Sequence, residues 1–219
     1  MIDNAFRRIL PPYVEPLLGA YRHLGMTPNQ VTCLGLALAL VASAAVATGH
    51  PLWALVLWWS SRLADGTDGI LARATNQESE FGAYLDIVLD MAAYGAMAIG
   101  FAIAEPALMA HWMAMLFLYV LCITSALALG MQEARLALPP RDDRGLRLGA
   151  GLAEGGETSI AYSVFLLWPG ALSYTTSIWI VMLFTTVVAR TLLARRTLRV
   201  SVAARPEASE NGSRSTRSD

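Results

Sequence analysis

Apolar residues run along this chain in long blocks, rather than alternating or recurring on one helical face. Blocks of roughly 18 or more residues can each cross a hydrocarbon core at 1.5 Å per residue. Six can be drawn, at about 28–48, 51–74, 80–104, 107–135, 155–171 and 173–194, the fifth being short. Ahead of them, residues 3–24 mix Phe6, Ile9, Leu10, Val14, Leu17 and Leu18 with Arg7, Arg8, Glu15 and Arg22. That mixture predicts a helix lying in the membrane interface, broken near Pro11-Pro12. The charged start lacks the short apolar core and cleavage site of a secretory signal. Thr27-Pro28-Asn29-Gln30 predicts the first span's start: Thr27 can cap, Pro28 suits the first helical position, and Gln30 completes a capping box. Residues 201–219 are rich in Ser, Arg, Glu and Gly and predict a disordered cytoplasmic tail. The expected fold is an all-α integral membrane protein: an amphipathic segment at 1–26, a six-span unit at 27–200 and the tail. No internal repeat is visible.

Composition agrees. The 219 residues are 55% apolar and only 15% charged, where an average soluble domain carries about 25% charged residues. Sixteen basic residues, all Arg, nearly cancel 17 acidic ones, leaving a net charge of −1. That balance argues against a nucleic-acid binder and against an acidic disordered chain. Cys33 and Cys122 lie inside apolar blocks and read as packing residues, not as a disulfide framework. Position is more informative than the sum. With both termini cytoplasmic, the inside segments hold Arg7, Arg8, Arg22, Arg73, Arg135, Arg141, Arg144, Arg147, Arg190, Arg195, Arg196 and Arg199, while the outside connections near His50, at 105–111 and near Pro169 hold none. Positive charge collects on the cytoplasmic side, which sets the expected orientation. His23, His50 and His111 read as interfacial residues, and Trp53, Trp58, Trp59, Trp112, Trp168 and Trp179 mostly as interface anchors near span ends.

The chemistry lies in the second and third blocks. Asp65 and Asp68 are three residues apart, Asp86 and Asp90 four apart, so each pair shares a helix face. A short connection at 76–80 makes the two spans antiparallel neighbours and can bring all four carboxylates to one depth. Facing lipid, four aspartates would cost on the order of 10 kcal/mol. Their mutual repulsion calls for cations, and hard oxygen ligands at these spacings suit Mg²⁺ or Mn²⁺, two of which would balance the four charges. Gly69 and Ala72 let a ligand approach the helix closely, Gly82 relieves crowding opposite, and Arg73 offers a fork for phosphate oxygens.

The order Asp65-x-x-Asp68-Gly69-x-x-Ala72-Arg73, eight residues, Gly82-x-x-x-Asp86-x-x-x-Asp90 resembles the signature of the CDP-alcohol phosphotransferase (CDP-alcohol phosphatidyltransferase) family at every fixed position. The six-span pattern, the interfacial helix and the Thr-Pro-Asn start resemble it too, over roughly residues 1–200. The resemblance implies a homodimeric membrane enzyme. It would move a substituted phosphate from a CDP-linked donor, usually CDP-diacylglycerol, to an alcohol and release CMP. It also implies Asp65, Asp68, Asp86 and Asp90 as ligands of two divalent ions, Asp90 as general base, and Asp65, Gly69, Ala72, Arg73 and Gly82 around the CDP group. The other class open to the same carboxylates is a cation transporter or metal-binding membrane protein. Two features bear on the acceptor: Arg141, Arg144 and Arg147, which suit a phosphorylated alcohol if they do more than mark topology, and Glu154 and Glu157 at the start of the fifth span.

Overall fold

The structure, a computed structural model, describes residues 11–136 and 155–203. Among them every regular element is helical: α1 (Pro11–His23), α2 (Pro28–Ala47), α3 (Pro51–Thr75), α4 (Glu80–Ala104), α5 (Met109–Arg135), α6 (Gly155–Leu167) and α7 (Leu172–Ala203). Single 3-10 turns at Pro106–Leu108 and Pro169–Ala171 precede α5 and α7.

Local chemistry sets these limits. Thr27 and Gln30 form the expected capping box: the Gln30 N–H donates to Thr27 Oγ1 at 3.4 Å and the Thr27 N–H to Gln30 Oε1 at 2.9 Å. Gly49, at φ +76°, turns the chain after α2, and Pro51 opens α3. Asn76 ends α3 in the left-handed region at φ +53°, which asparagine tolerates better than most residues. Ser79 then caps α4 by accepting the Gly82 N–H at 3.0 Å. Helix α7 runs to Ala203, and residues 204–219, which hold most of the expected tail, lie outside the described residues.

Four helical segments are long and apolar enough to cross a membrane: α2, α4, α5 with its leading turn and α7 with its leading turn. Only 22–39% of each apolar window is buried within the protein, so lipid is the solvent their outer faces suit. By this measure four of the six expected spans stand. Helix α3 has 25 residues but carries Arg62, Asp65, Asp68 and Arg73, and α6 has only 13 residues.

Helix α2 is the hub. It packs most extensively against α3 and α4, while α5 pairs with α7 and α6 bridges α3 and α7. Despite the short link between them, α3 and α4 make little direct helix contact; each rests on α2, leaving a cleft where close neighbours were expected. Small residues allow these approaches. A Cβ at Gly35 would lie 3.4 Å from the Ser61 carbonyl of α3, and one at Gly100 would lie 2.5 Å from the Ser43 carbonyl of α2. Ser43 Oγ also donates to the Ala96 carbonyl of α4 at 2.5 Å.

The aromatic core corrects the expectation for tryptophan. Trp53, Trp59 and Trp168 are exposed, but Trp58, Trp112 and Trp179 are buried. Trp58 stands edge-on to Tyr94 and Tyr162, and Trp112 stacks on Phe101. Each buried indole N–H finds an acceptor, at Ser159 O, Glu105 O and Tyr119 Oη respectively. Cys33 is exposed instead of packed. Helix α1 buries Val14, Leu18 and Tyr21 with Val31, Ala64 and Leu71, and leaves Glu15 and Arg22 outside in an ion pair at 2.9 Å.

Candidate active site

The cleft between α3 and α4 gathers the four aspartates. Asp65 lies within electrostatic reach of Asp68, Asp86 and Asp90. Asp68 is buried, its Oδ2 accepting from the Thr32 hydroxyl of α2 at 2.5 Å and its Oδ1 from the Gly69 N–H at 2.5 Å. The side chains of Asp65 and Asp90 are about one quarter and one fifth exposed, and Asp86 is half-buried.

Arg62 of α3 occupies the centre. Its guanidinium is paired with Asp90 of α4 through Nη1 and stands 3.6 Å from Asp65 Oδ2, one turn along its own helix. The guanidinium carbon lies 4.6 Å from the Trp58 ring centroid and 5.1 Å from that of Tyr94. Nη2 donates to Ser61 Oγ at 3.1 Å, and that hydroxyl donates to the Gly35 carbonyl at 2.7 Å. A desolvated cation stacked on two rings and tied to two carboxylates is strongly fixed. Arg62 is the charged member of this cluster that composition and spacing did not single out. The available signal was an ionisable residue in mid-span, three positions before Asp65, and intramembrane charge is functional by default.

The other candidates take places along the same helices. Gly69 and Ala72 are half-buried and Arg73 is exposed on the last turn of α3. A Cβ at Gly69 would meet only Arg73 Nη1, at 3.6 Å. Gly82 is tighter: a Cβ there would sit 3.1 Å from Asn29 Oδ1, at the start of α2, and 3.1 Å from Ser79 Oγ, the cap of α4. In the first turn of α6, Glu157 Oε2 is buried without a hydrogen-bond partner, while a Cβ on Gly155 would lie 3.2 Å from Tyr94 Oη. Arg141, Arg144, Arg147 and Glu154 lie outside the described residues.

Four carboxylates form a hard oxygen donor set whose chemistry fits a divalent cation such as Mg²⁺ or Mn²⁺. Among the described residues, however, no three acidic, histidine or cysteine side chains stand at ligand spacing. Asp90 is turned to Arg62 and Asp68 to Thr32.

Helices whose outer faces suit lipid thus bring four aspartates and an arginine together between α3 and α4. A model of the CDP-alcohol phosphatidyltransferase family matches residues 25–188, and the chain belongs to that family of transferases. It is 33% identical over 171 residues to inner membrane protein YnjF of Escherichia coli, covering 74% of this chain and 82% of that one. A phosphatidylinositol phosphate synthase of Mycobacteroides abscessus is 36% identical over 95 residues, and the match spans only 43% of either chain. Among solved structures, Mycobacterium tuberculosis phosphatidylinositol phosphate synthase with CDP-DAG bound shares the fold at a TM-score of 0.61 and 24% identity, over 82% of this chain and 92% of that one. The same enzyme was also solved in complex with manganese and citrate, at 22% identity. Its apolar helices and its relation to a named inner membrane protein make this an integral membrane protein.

Proposed function

We propose that the protein transfers a phosphatidyl group from CDP-diacylglycerol, or a similar CDP-linked lipid, to the hydroxyl of a small alcohol, releasing CMP in phospholipid biosynthesis. The observation that carries this is the convergence of Asp65, Asp68, Asp86 and Asp90 on one cleft, in the order and spacing of the family signature. These four side chains would hold two Mg²⁺ or Mn²⁺ ions, which when bound neutralise the donor pyrophosphate and the charge developing on the departing CMP. Asp90 takes the proton from the acceptor hydroxyl as its oxygen bonds to the lipid-bearing phosphorus and the bond to CMP breaks. Gly69, Ala72 and Gly82 leave room for the nucleotide beside Asp65, and Arg73 meets its phosphates from the open end of α3.

Inositol phosphate is the leading acceptor, on the names of the relatives, and the basic run Arg141, Arg144 and Arg147 suits such an anion. The enzyme works as a homodimer in the bacterial inner membrane, with α3 and α6 completing six crossings, α1 lying in the interface, and the cleft and both termini facing the cytoplasm. The deciding experiment incubates the purified protein in lipid nanodiscs with CDP-diacylglycerol, Mg²⁺ and a panel of inositol phosphate, glycerol phosphate, inositol and serine. Released CMP and the product lipid's mass are read together. Acceptor-dependent CMP release is the expected result; no CMP with any acceptor refutes the assignment.

A further inference from the structure

Every carboxylate in the family signature is assigned a metal above, yet the cleft already contains a cation. Arg62 reaches across from α3 to Asp90 on α4 and stands 3.6 Å from Asp65, so it contacts one aspartate of each pair. Its side chain is 8% exposed. It cannot easily swing away: the Trp58 and Tyr94 rings flank it, Ser61 holds Nη2, and Ser61 is itself bonded to the Gly35 carbonyl of α2. The Tyr94 hydroxyl adds a contact to Nη1 at 3.4 Å. Nε is buried with no hydrogen-bond partner, so the residue gives up part of its own hydrogen bonding to stand there.

We infer that Arg62 is a built-in counter-ion that positions Asp90 and competes with a divalent cation for Asp90 and Asp65. The inference rests on the proposed metal-assisted reaction. A guanidinium bonded to a carboxylate oxygen occupies a lone pair that a metal would use, and its fixed charge repels a second cation a few ångströms away in a medium of low polarisability.

The test is Mn²⁺ binding, followed by electron paramagnetic resonance, on the full-length protein in nanodiscs without nucleotide. In R62Q, Mn²⁺ affinity is expected to rise about tenfold or more, while R62K, which keeps the charge, stays within about threefold of the wild type. R62M fills the same slot between the rings without charge or donors and is read in the same way, with Mn²⁺ present during extraction to compensate the carboxylates. Unchanged or weaker Mn²⁺ binding in R62Q and R62M overturns the competition. So does failure to recover either variant even with Mn²⁺, since a metal that competes for these carboxylates must be able to replace the guanidinium. A purely structural Arg62 would lower the melting temperature and leave Mn²⁺ affinity where it was. Parallel CMP assays separate the two ideas. A wild type that releases no CMP defeats the transferase proposal and leaves the competition to be judged on Mn²⁺ binding alone, whereas unchanged Mn²⁺ affinity in an active enzyme defeats the competition only.

Discussion

Gly100 and Gly95 lie on the same helix, and the structure gives their replacement by alanine opposite signs. A Cβ at position 100 would stand 2.5 Å from the Ser43 carbonyl oxygen, 2.7 Å from Ser43 Oγ and 3.1 Å from the Ser43 carbonyl carbon. Two of these atoms are backbone, so no rotamer change relieves the contact, and α2 and α4 must part by close to 1 Å to reach ordinary van der Waals distance. Overpacking of this kind costs about 1–3 kcal/mol. Separation also stretches the 2.5 Å hydrogen bond from Ser43 to Ala96, whose net worth is about 1 kcal/mol. At Gly95 the nearest neighbour of an added Cβ is Leu116 Cδ2 at 3.9 Å, an ordinary contact, and replacing a mid-helix glycine with alanine contributes about 0.5–1 kcal/mol of stability. For a chain of this size 1 kcal/mol moves the melting temperature by about 2–4 °C. With the same Gly→Ala helix gain set against its clash, G100A is expected to melt roughly 2–14 °C below the wild type, and G95A about 1–4 °C above it. Melts at one fixed scan rate in the same detergent allow the comparison. CMP release by G100A should fall by less than about tenfold, because Asp90 lies about 15 Å along the helix from the clash. A G100A protein that melts with or above the wild type would refute the claim that a backbone contact at Ser43 sets the distance between α2 and α4.

Three further outcomes are expected. Asp90→Asn should lower CMP release by about 10²–10⁴-fold, the usual range for a general base, while CDP binding largely survives; substantial turnover would remove Asp90 from that role. Chelation with EDTA should abolish CMP release and either Mg²⁺ or Mn²⁺ should restore it, so activity that persists through chelation would exclude the metal-assisted reaction. Thr32→Val removes the hydroxyl on Asp68 at nearly constant volume, a charge-assisted bond worth about 1.5–3 kcal/mol. Half-saturating Mn²⁺ in the CMP assay should rise about tenfold, and an unchanged value would show that Thr32 does not orient Asp68.

Where elements begin was largely written in local chemistry. Pro51, Asn76 and Ser79 punctuate the two motif helices, and the expected spans 51–74 and 80–104 meet α3 at Pro51–Thr75 and α4 at Glu80–Ala104. The end of α7 was not legible in the same way. An apolar block stops where lipid stops, but helical hydrogen bonding continues through Arg195, Arg196 and Arg199, all good helix formers. Tryptophan was ambiguous for a different reason. Trp58, Trp112 and Trp179 are as apolar as the exposed Trp53, Trp59 and Trp168, and only the partner helices decide which rings meet a core. The carboxylates could be placed from spacing because α-helical period alone puts Asp65 with Asp68 and Asp86 with Asp90. The bridge from Arg62 to Asp90 could not, since it depends on the separation of two helices across a cleft.

That separation is set by α2, which carries none of the signature residues. Its Gly35 lets α3 approach, with the Ser61 hydroxyl bonded to the Gly35 carbonyl, and its Ser43 meets Gly100 on α4. Thr32 fixes Asp68, and Asn29 crowds Gly82 at the mouth of the cleft. These side chains are small or short, which suits a helix that two others must approach closely. The two carboxylate pairs thus come within electrostatic reach of one another through a shared third helix, with little direct contact between their own. Pairs held this way repel one another, and Arg62 answers that repulsion between Asp65 and Asp90. The signature accounts for the four carboxylates, while α2 and Arg62 account for how they are held.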